Sequence, residues 1–405
     1  MNEPRYARRA ERMRASEIRE LLKLLEQPGI ISFAGGIPDP ALFPRERVSA
    51  AYQAILADPV VSGQALQYSV SEGYPPLRAW IARHMADLGV PARPDNILVT
   101  SGSQQALEFL GKLFLTEGDT ALVAAPTYLG ALQAFSAYEP NYDTLRPEAG
   151  NRTPRSYLEA AAGRGGTVKF CYVVPDFANP TGETMSLAAR NGLLSLAADL
   201  DCAIIEDAAY SALRFEGSAV PPIQAIDAAR AGGLDASRVV YCGTFSKTLT
   251  PGLRIGWVCA AAPIVRRLTL VKQASDLNCS LINQMVMCDV AVGTYPAQVE
   301  RATALYRERR DAILAALAAH MPEGVTWTRP EGGLFVWVTL PERLDGAELL
   351  RRSIAEERVA FVPGGAFFTD GSGRNTIRLS YSLPDAAAID IGISRLGRLV
   401  ARSLG

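Results

Sequence analysis

The sequence predicts an α/β fold, with a mostly parallel central sheet flanked by helices and a smaller α+β domain. The first observation behind this prediction is that short apolar segments alternate with helical segments from about residue 96 to residue 260. Strands buried on both faces have such near-continuous apolar sequences, and their alternation with helices is typical of a parallel sheet. The second is that the pattern changes after about residue 290 to a long charged helix followed by short strands. The third is the length of 405 residues, which suffices for two or three domains.

Short apolar segments form the predicted central sheet. In chain order they are "NILVT" (96–100), "TALVAAP" (120–126), "VKFCYVVPDF" (168–177), "CAIIEDAAY" (202–210), "VVYCGTFSK" (239–247) and "RIGWVCAA" (254–261). Ligands of open α/β sheets bind in the crevice at the carboxyl ends of the strands. Residues that directly follow these segments are therefore candidate site residues.

The remaining segments surround this sheet. The amphipathic "RASEIRELLKLLEQPG" (14–29) is a predicted helix. It is followed by the glycine- and proline-rich "IISFAGGIPDPALFP" (30–44), a predicted irregular loop. The charged "YPAQVERATALYRERRDAILAALAAHM" (295–321) is a predicted helix whose "RERRD" lies on a solvated face. "GGLFVWVTL" (332–340) and "NTIRLSYS" (375–382) are predicted strands of the smaller domain.

Composition excludes several function classes. Lys and Arg total 41 against 42 Asp and Glu, so no basic footprint for nucleic acid or a membrane surface is expected. No apolar run has membrane-spanning length, and the polar N-terminus is not a signal peptide. The six cysteines are scattered through apolar segments without a CxxC pair, which indicates core residues of a reduced, cytoplasmic protein. Neither histidine has a spaced partner, so no metal site is expected.

Two charged residues follow predicted strands and suggest chemistry. Lys247 lies in "GTFSKTLTPGLRIGW" (243–257), between two apolar segments. A buried lysine pays a large desolvation cost, and burial lowers its pKa, as a Schiff-base nucleophile requires. Asp207 ends the strand "CAIIED". A carboxylate there could face a protonated pyridine nitrogen and keep the ring electron-poor.

The other polar residues at this edge suit a phosphorylated ring. The turn "SGSQ" joins a strand to a helix start, where free N–H groups and the Ser103 hydroxyl bind anions. Ser246 and Arg254 could add phosphate contacts, and Tyr128 could stack on a flat ring. Asn179 begins "NPTG", a rigid turn that fixes its side-chain amide. A lysine that captures an aldehyde, a carboxylate for a pyridinium, a phosphate cradle and a stacking aromatic together predict pyridoxal phosphate.

With these residues in place, the sequence resembles the fold-type I pyridoxal-phosphate-dependent aminotransferases of class I/II. More narrowly, it resembles their 2-aminoadipate and kynurenine aminotransferase branch. The resemblance spans residues 32 to 382, nearly the whole chain. The motifs that carry it, in order, are "SFAGGIPDPALFP", "LQYSVSEGYPPLR", "TSGSQQALE", "NPTG", "EDAAY", "GTFSKTLTPGLRIGW" and "IRLSYS".

The resemblance implies a role for each matching residue. It implies the aspartate-aminotransferase-like fold, with a large pyridoxal-phosphate-binding domain over 46–289 and a small domain made of 1–45 and 290–405. The implied cofactor contacts are Lys247 to the aldehyde as a Schiff base, Asp207 to the pyridine nitrogen, Asn179 and Tyr210 to the phenolic oxygen, Ser103, Gln104, Ser246 and Arg254 to the phosphate, and Tyr128 to the ring face.

Further implied roles concern the substrate and a second subunit. Arg378 in "IRLSYS" would clamp the substrate α-carboxylate, Asn179 would also contact the substrate, and Gly36 would line the substrate pocket. Tyr68 would reach the phosphate of the neighbouring subunit's cofactor, which implies a homodimer with shared active sites. Arg19, on the predicted N-terminal helix, would recognise an acidic substrate side chain; the alternative is a solvated arginine paired with a nearby glutamate.

The function expected from the resemblance is transfer of an amino group between an L-amino acid and a 2-oxo acid. The donor could be 2-aminoadipate, glutamate, or an aromatic or aliphatic amino acid, with 2-oxoglutarate as the acceptor. One alternative is another pyridoxal-phosphate reaction, such as decarboxylation, elimination or oxidation, because the same Lys247 and Asp207 would serve it. A second is a non-catalytic ligand-binding regulator. Only about 30 residues precede "ISFAGG", too few for a DNA-binding module, so we expect an enzyme.

Overall fold

The computed structural model describes residues 6–12 and 29–405. The predicted helix over 14–29, which carries Arg19, lies outside the described residues except for its last residue. Within the described ranges, no helix is both long enough and apolar enough to cross a membrane.

The helices of the described chain include long and short elements. In order they are α1 (Arg8–Arg12), α2 (Arg45–Ala57), α3 (Pro59–Ala65), α4 (Pro75–Asp87), α5 (Ser103–Phe114), α6 (Leu129–Ser136), α7 (Pro154–Gly163), α8 (Leu187–Asp199), α9 (Ile223–Ala231), α10 (Ala262–Gln273), α11 (Leu281–His320), α12 (Gly346–Arg352) and α13 (Ala386–Leu404).

The strands are short throughout. In order they are β1 (Ile31–Ser32), β2 (Ile97–Thr100), β3 (Thr120–Ala124), β4 (Asn141–Leu145), β5 (Val168–Val173), β6 (Ala203–Asp207), β7 (Val239–Thr244), β8 (Gly256–Cys259), β9 (Thr326–Trp327), β10 (Phe335–Thr339), β11 (Val359–Ala360), β12 (Val362–Pro363) and β13 (Thr376–Ser380).

A seven-stranded sheet in the order β2-β8-β7-β6-β5-β3-β4 forms the centre of the structure. The strands from β7 through β6, β5 and β3 to β4 pair in parallel. Only β8 is antiparallel, to β7 on one side and to β2 on the other. The predicted mostly parallel central sheet is confirmed, and the carboxyl ends of β5, β6 and β7 meet at one edge of it.

Side chains of the central strands alternate between two buried layers, as the pleat of a strand requires. On β5, Phe170 and Tyr172 pack with Phe135 and the apolar face of α5. Cys171 and Val173 point the other way and pack against α7 and α8. Because both layers are buried, the sheet supports the residues at its edge rigidly.

Two smaller sheets lie outside the central one. The antiparallel sheet β12-β13-β10-β9 contains Arg378 in β13. The pair β1-β11 is parallel, with Ile31 opposite Val359 and Ser32 opposite Ala360. The region predicted to be an irregular loop therefore begins with a short strand, which joins the segment before Gly36 to the C-terminal part of the chain.

The long helix α11 runs for 40 residues and contains Pro296. The sequence predicted a helix over 295–321; the structure begins it at Leu281 and places Pro296 in its interior. The predicted solvated face at "RERRD" is partly wrong, since Arg309 and Arg310 are buried. Arg309 forms an ion pair with Asp39, and Arg310 forms one with Glu216. The predicted domain boundary at 289/290 lies inside α11, and the domain limits stay a prediction.

Candidate active site

A cavity of ≈ 150 Å³ lies at the carboxyl edge of the central sheet, beside the N-terminus of α5. Every residue predicted to bind the cofactor lines it, except Tyr68. The lining residues are Ser103, Gln104, Tyr128, Val174, Asn179, Asp207, Ala209, Tyr210, Thr244, Ser246, Lys247, Pro251 and Arg254.

Lys247 lies just after β7, and its side chain is half-buried. Its Nζ donates a hydrogen bond of 2.9 Å to the carbonyl oxygen of Gly36 and lies 5.7 Å from the ring centroid of Tyr210. Burial lowers the pKa of Lys247 to about 8, the charges of Arg378 and Arg254 add to that effect, and Asp207 opposes it. Such an amine is more readily neutral than an exposed one, as a nucleophile or base must be.

Asp207 is the last residue of β6 and is almost fully buried. The Tyr172 hydroxyl donates a hydrogen bond of 2.9 Å to its Oδ2, while its Oδ1 is buried without a hydrogen-bond partner. Burial raises the pKa of Asp207 to about 6, and the Tyr172 hydroxyl and the Lys247 charge oppose that rise. A buried, unpartnered carboxylate oxygen facing a cavity is costly unless a donor joins it, and a protonated pyridine nitrogen is such a donor.

A backbone cradle joins the start of α5 to the turn between β7 and β8. Gly102 precedes α5 with φ +79°, and a Cβ there would lie 2.3 Å from Nη2 of Arg254. A Cβ on Gly256 would lie 2.7 Å from the carbonyl carbon of Gly102. Arg254 donates hydrogen bonds to the carbonyl oxygen of Ser101 (3.2 Å) and to Oγ of Ser246 (3.4 Å). The two glycines thus bring a guanidinium, hydroxyls and a helix N-terminus together, an arrangement that suits a phosphate.

Tyr128 immediately precedes α6, and its ring covers Gly130. A Cβ on Gly130 would lie 2.4 Å from Cζ of Tyr128. Nε2 of Gln104 donates to the carbonyl oxygen of Gly130 (2.7 Å), and Oε1 of Gln104 accepts from the Tyr128 hydroxyl (3.4 Å). The Gln104 side chain therefore fixes the ring of Tyr128, and its backbone N–H in the first turn of α5 is the group suited to a phosphate.

A chain of hydrogen bonds links the cavity to the antiparallel sheet. Nδ2 of Asn179 donates to the Tyr210 hydroxyl at 3.4 Å. Oδ1 of Asn179 accepts from Nη1 of Arg378 at 2.8 Å, and Nη2 of Arg378 donates to the carbonyl oxygen of Ala34 at 2.7 Å. These bonds place the predicted substrate-binding arginine next to the residues predicted to hold the cofactor's phenolic oxygen.

Arg378 is 2% exposed, and its guanidinium lies over two aromatic rings. Its Cζ lies 4.3 Å from the ring centroid of Phe335 and 5.2 Å from that of Phe367. Burial lowers the pKa of Arg378 to about 10. Its Nε has no hydrogen-bond partner, and in the described part of the chain it forms no ion pair. Gly36 is required here, since a Cβ on it would lie 2.4 Å from Cζ of Phe335.

One predicted residue, Tyr68, is not brought into this site by the single chain. Tyr68 is 78% exposed and does not line the cavity. Arg19 lies outside the described residues. Sequence reasoning in turn missed Tyr172, Phe335 and Phe367, which lie in apolar segments with no polar motif around them.

A larger cavity of ≈ 790 Å³ lies next to this one and shares Val174 and Asn179 with it. Its walls come from the carboxyl ends of β3, β4 and β5 and from residues 329 and 331. It contains neither Lys247 nor Asp207. The smaller cavity is therefore the one that carries the chemistry.

Comparison with known proteins agrees with this arrangement. The family model described as aminotransferase class I and II matches residues 42–396. The chain is 43% identical over 395 residues to a 2-aminoadipate transaminase of Thermus thermophilus, covering 97% of this chain and 96% of that one. It is 41% identical over 404 residues to aromatic-amino-acid aminotransferase 1 of Thermococcus litoralis, covering 98% and 94%.

Structural comparison extends the likeness to the backbone. The crystal structure of the α-aminoadipate aminotransferase LysN from Thermus thermophilus superposes with a TM-score of 0.87 at 41% identity, covering 98% of each chain. That structure is a complex with N-(5'-phosphopyridoxyl)-L-leucine, a molecule built from the pyridoxal cofactor and an amino acid. The likeness in sequence, backbone and bound group, together with the cavity above, indicates pyridoxal phosphate as the cofactor here.

Proposed function

The chain belongs to the class I and II aminotransferases and is a pyridoxal-phosphate-dependent transaminase of fold type I, and from that premise we propose its substrates and the roles of its residues. The donor is an L-amino acid of the 2-aminoadipate, glutamate, aromatic or aliphatic type. The acceptor is a 2-oxo acid, 2-oxoglutarate in our proposal. The substrates named for the relatives support this range, and membership of the family favours transamination over decarboxylation, elimination or regulation.

One observation carries the substrate assignment: the buried Arg378 has no carboxylate partner among the described residues. An unpaired guanidinium in an apolar setting is costly, and its planar fork matches a carboxylate. Its bond to Asn179 places it next to the cavity that contains Lys247. A substrate α-carboxylate would complete this arrangement and orient the amino acid toward Lys247.

Pyridoxal phosphate, when bound, supplies an electron sink that makes the substrate α-proton acidic. Lys247 would hold the cofactor, and its Nζ is the base positioned to carry the substrate α-proton. The Gly36 carbonyl oxygen accepts a hydrogen bond from Nζ and so orients the amine. Asp207 would hold the ring nitrogen through Oδ1 and favour a positive charge there.

The remaining contacts hold the cofactor in place. Asn179 and Tyr210 would hold the phenolic oxygen; Nδ2 of Asn179 and the Tyr210 hydroxyl are 3.4 Å apart. Ser103, Ser246, Arg254 and the backbone N–H of Gln104 would hold the phosphate. Tyr128 would stack on the ring face, with Gln104 and Gly130 fixing its orientation. Gly36 leaves room on the substrate side for Phe335 and for the amino acid.

We further propose that the protein works as a homodimer with shared sites. Tyr68 is 78% exposed, and apolar neighbours in the chain share that exposure, with Leu66 at 71% and Val60 at 70%. Exposed aromatic and apolar side chains so close together favour a protein partner. In a dimer, Tyr68 would reach the phosphate in the other subunit's cradle.

The proposed location is the cytoplasm. All six cysteines are buried free thiols, although two of them, Cys171 and Cys202, have sulfur atoms only 3.9 Å apart. Reduced thiols in such an arrangement suit a reducing compartment.

The substrate proposal is tested by two arginine variants with different expected patterns. Arg378→Leu should raise KM about 100-fold for every donor, because every donor has an α-carboxylate and loses a charge-assisted pair. Arg19→Ala should raise KM only for 2-aminoadipate and glutamate. The measurement is a panel of L-amino acids in single half-reactions, followed by the absorbance of the cofactor.

Arg374→Leu is the matched control for this panel, since Arg374 is an exposed arginine near Arg378 that pairs with Asp345 on the surface. A variant that keeps the cofactor spectrum yet loses every donor supports the role of Arg378. Unchanged donor kinetics in Arg378→Leu would contradict it. An Arg19→Ala enzyme with the wild-type donor preference would show that Arg19 is a solvated helix residue.

The shared sites of the dimer are tested with hybrid dimers. Tyr68→Ala and Lys247→Ala homodimers should each be impaired, because each lacks one component in both sites. Mixed and reassociated, the hybrid places both defects in one site and leaves the other complete. The expected result is recovery of about half the wild-type activity per hybrid dimer. Absence of recovery, with hybrids verified by mass, would show that Tyr68 does not serve the partner subunit's site.

A further inference from the structure

We propose that Tyr172 is a positioning residue for the cofactor's ring nitrogen, acting through Asp207. Its hydroxyl fixes one carboxylate oxygen and leaves the other to the ring. This inference rests on the proposed role of Asp207, and it adds a residue of β5 that does not itself line the cavity.

The sheet determines that these two residues meet. β5 and β6 pair in parallel, with Tyr172 opposite Ile205, two residues before Asp207 at the strand end. The Tyr172 side chain is fully buried, and its hydroxyl donates to Oδ2 of Asp207 at 2.9 Å. A buried tyrosine needs a partner for its hydroxyl, and the carboxylate is the acceptor that the register provides.

Packing holds the Tyr172 ring in one orientation. The Phe135 ring on α6 meets it edge-on, with centroids 5.7 Å apart and planes at 78°. Behind it lie apolar residues of the layer that includes α5. Because the ring is locked, the hydroxyl is a fixed donor, and a fixed donor on Oδ2 sets the plane of the Asp207 carboxylate.

The two carboxylate oxygens therefore have different tasks. Oδ2 is satisfied by Tyr172, whereas Oδ1 is buried without a partner. Oδ1 is therefore the oxygen that lacks a donor, and a ring N–H would supply one. Without the Tyr172 hydroxyl, Oδ2 would lose its side-chain donor, and the backbone N–H of Ala209 would remain beside the carboxylate. The carboxylate could then rotate or take up a proton, either of which weakens its pairing with a positive ring nitrogen.

The test compares pyridoxal phosphate with an analogue in which a carbon replaces the ring nitrogen. Apo forms of the wild type, Tyr172→Phe and Tyr157→Phe are titrated with each compound, and the dissociation constants are measured by absorbance and fluorescence. Tyr157 is the matched control, because it is a buried tyrosine that does not line this cavity. Its hydroxyl donates a hydrogen bond of 2.8 Å to the carbonyl oxygen of Thr144. The ratio of the two dissociation constants reports the ring nitrogen alone, since general damage affects both compounds.

We expect Tyr172→Phe to lower the analogue-to-cofactor ratio about tenfold, the size of one hydrogen bond to a charged group, while Tyr157→Phe leaves it unchanged. In an Asp207→Asn background, Tyr172→Phe should no longer change the ratio. A Tyr172→Phe protein that weakens both compounds equally, or neither, overturns the proposal and makes Tyr172 a packing residue. A wild type that binds no pyridoxal phosphate would instead overturn the proposed function, and the role of Tyr172 with it.

Discussion

Replacing Lys247 with alanine is expected to reduce the transamination rate on the order of 10⁴-fold, the upper range for loss of a positioned general base. Nζ of Lys247 is the amine that the structure places inside the cavity, bonded to the Gly36 carbonyl oxygen. Its pKa of about 8 lets a useful fraction be neutral near neutral pH. Alanine removes both the covalent attachment and the proton carrier, and nothing else in the cavity replaces them.

The measurement is a single half-reaction with a good donor, together with borohydride reduction and mass analysis of the peptide that contains residue 247. The wild type should carry the cofactor covalently on Lys247, and the variant should hold it only by contacts. Lys169→Ala is the control, because Lys169 is a partly exposed lysine that pairs with Asp119 at 3.6 Å. Covalent cofactor on any other lysine, or near-normal rates in the variant, would refute the assignment.

Asp207→Asn is the second substitution with a large expected effect, a fall in kcat of about 10²- to 10³-fold, typical of removing one preorganised electrostatic contact. The amide has the same shape and still accepts from the Tyr172 hydroxyl, so folding should persist. What is lost is the negative charge opposite the ring nitrogen, and with it the stabilisation of a protonated ring.

The titration of Asp207 also predicts how activity changes with pH. Burial raises the pKa of Asp207 to about 6, and a positive ring nitrogen beside the carboxylate would lower it again. Wild-type activity should therefore fall as the pH drops below about 6 and the carboxylate is neutralised. The asparagine variant should lack this acid limb. Asp201→Asn is the control, an exposed aspartate at φ +49°, a conformation that asparagine tolerates. An acid limb that persists unchanged in Asp207→Asn would assign it to another group.

The central sheet was largely predictable because its strands are buried on both faces. The segment "NILVT" coincides with β2 except for its first residue, and β7 forms the first six residues of "VVYCGTFSK". β4 (Asn141–Leu145) was missed, since it lies at the sheet edge, is only half-buried and carries polar residues. The antiparallel direction of β8 could not be predicted either, because the local sequence pattern does not encode strand direction. Strand order depends on how helices pack, which short segments do not encode.

The candidate site also contains residues that the local sequence predicts and residues that meet only in the folded chain. Asp207 and Lys247 were predictable because each is a charged residue that follows an apolar strand. Tyr172 was not, although a single tyrosine in "FCYVV" must satisfy its hydroxyl somewhere. Its partner is 35 residues away and is defined only by the pairing of β5 with β6. Phe335 and Phe367 likewise meet Arg378 only in the folded chain.

The bond between Arg378 and the Ala34 carbonyl, which spans 344 residues, has a consequence for biosynthesis. The strands of the central sheet and the residues of the phosphate cradle all lie before residue 260, whereas Arg378 lies in β13, near the C-terminal end of the chain. We therefore expect the substrate side to be completed last during synthesis. Large proteins fold through partly structured intermediates, so an incomplete chain could retain the cofactor yet turn over nothing. We therefore expect cofactor content and activity to report different stages of maturation in this enzyme.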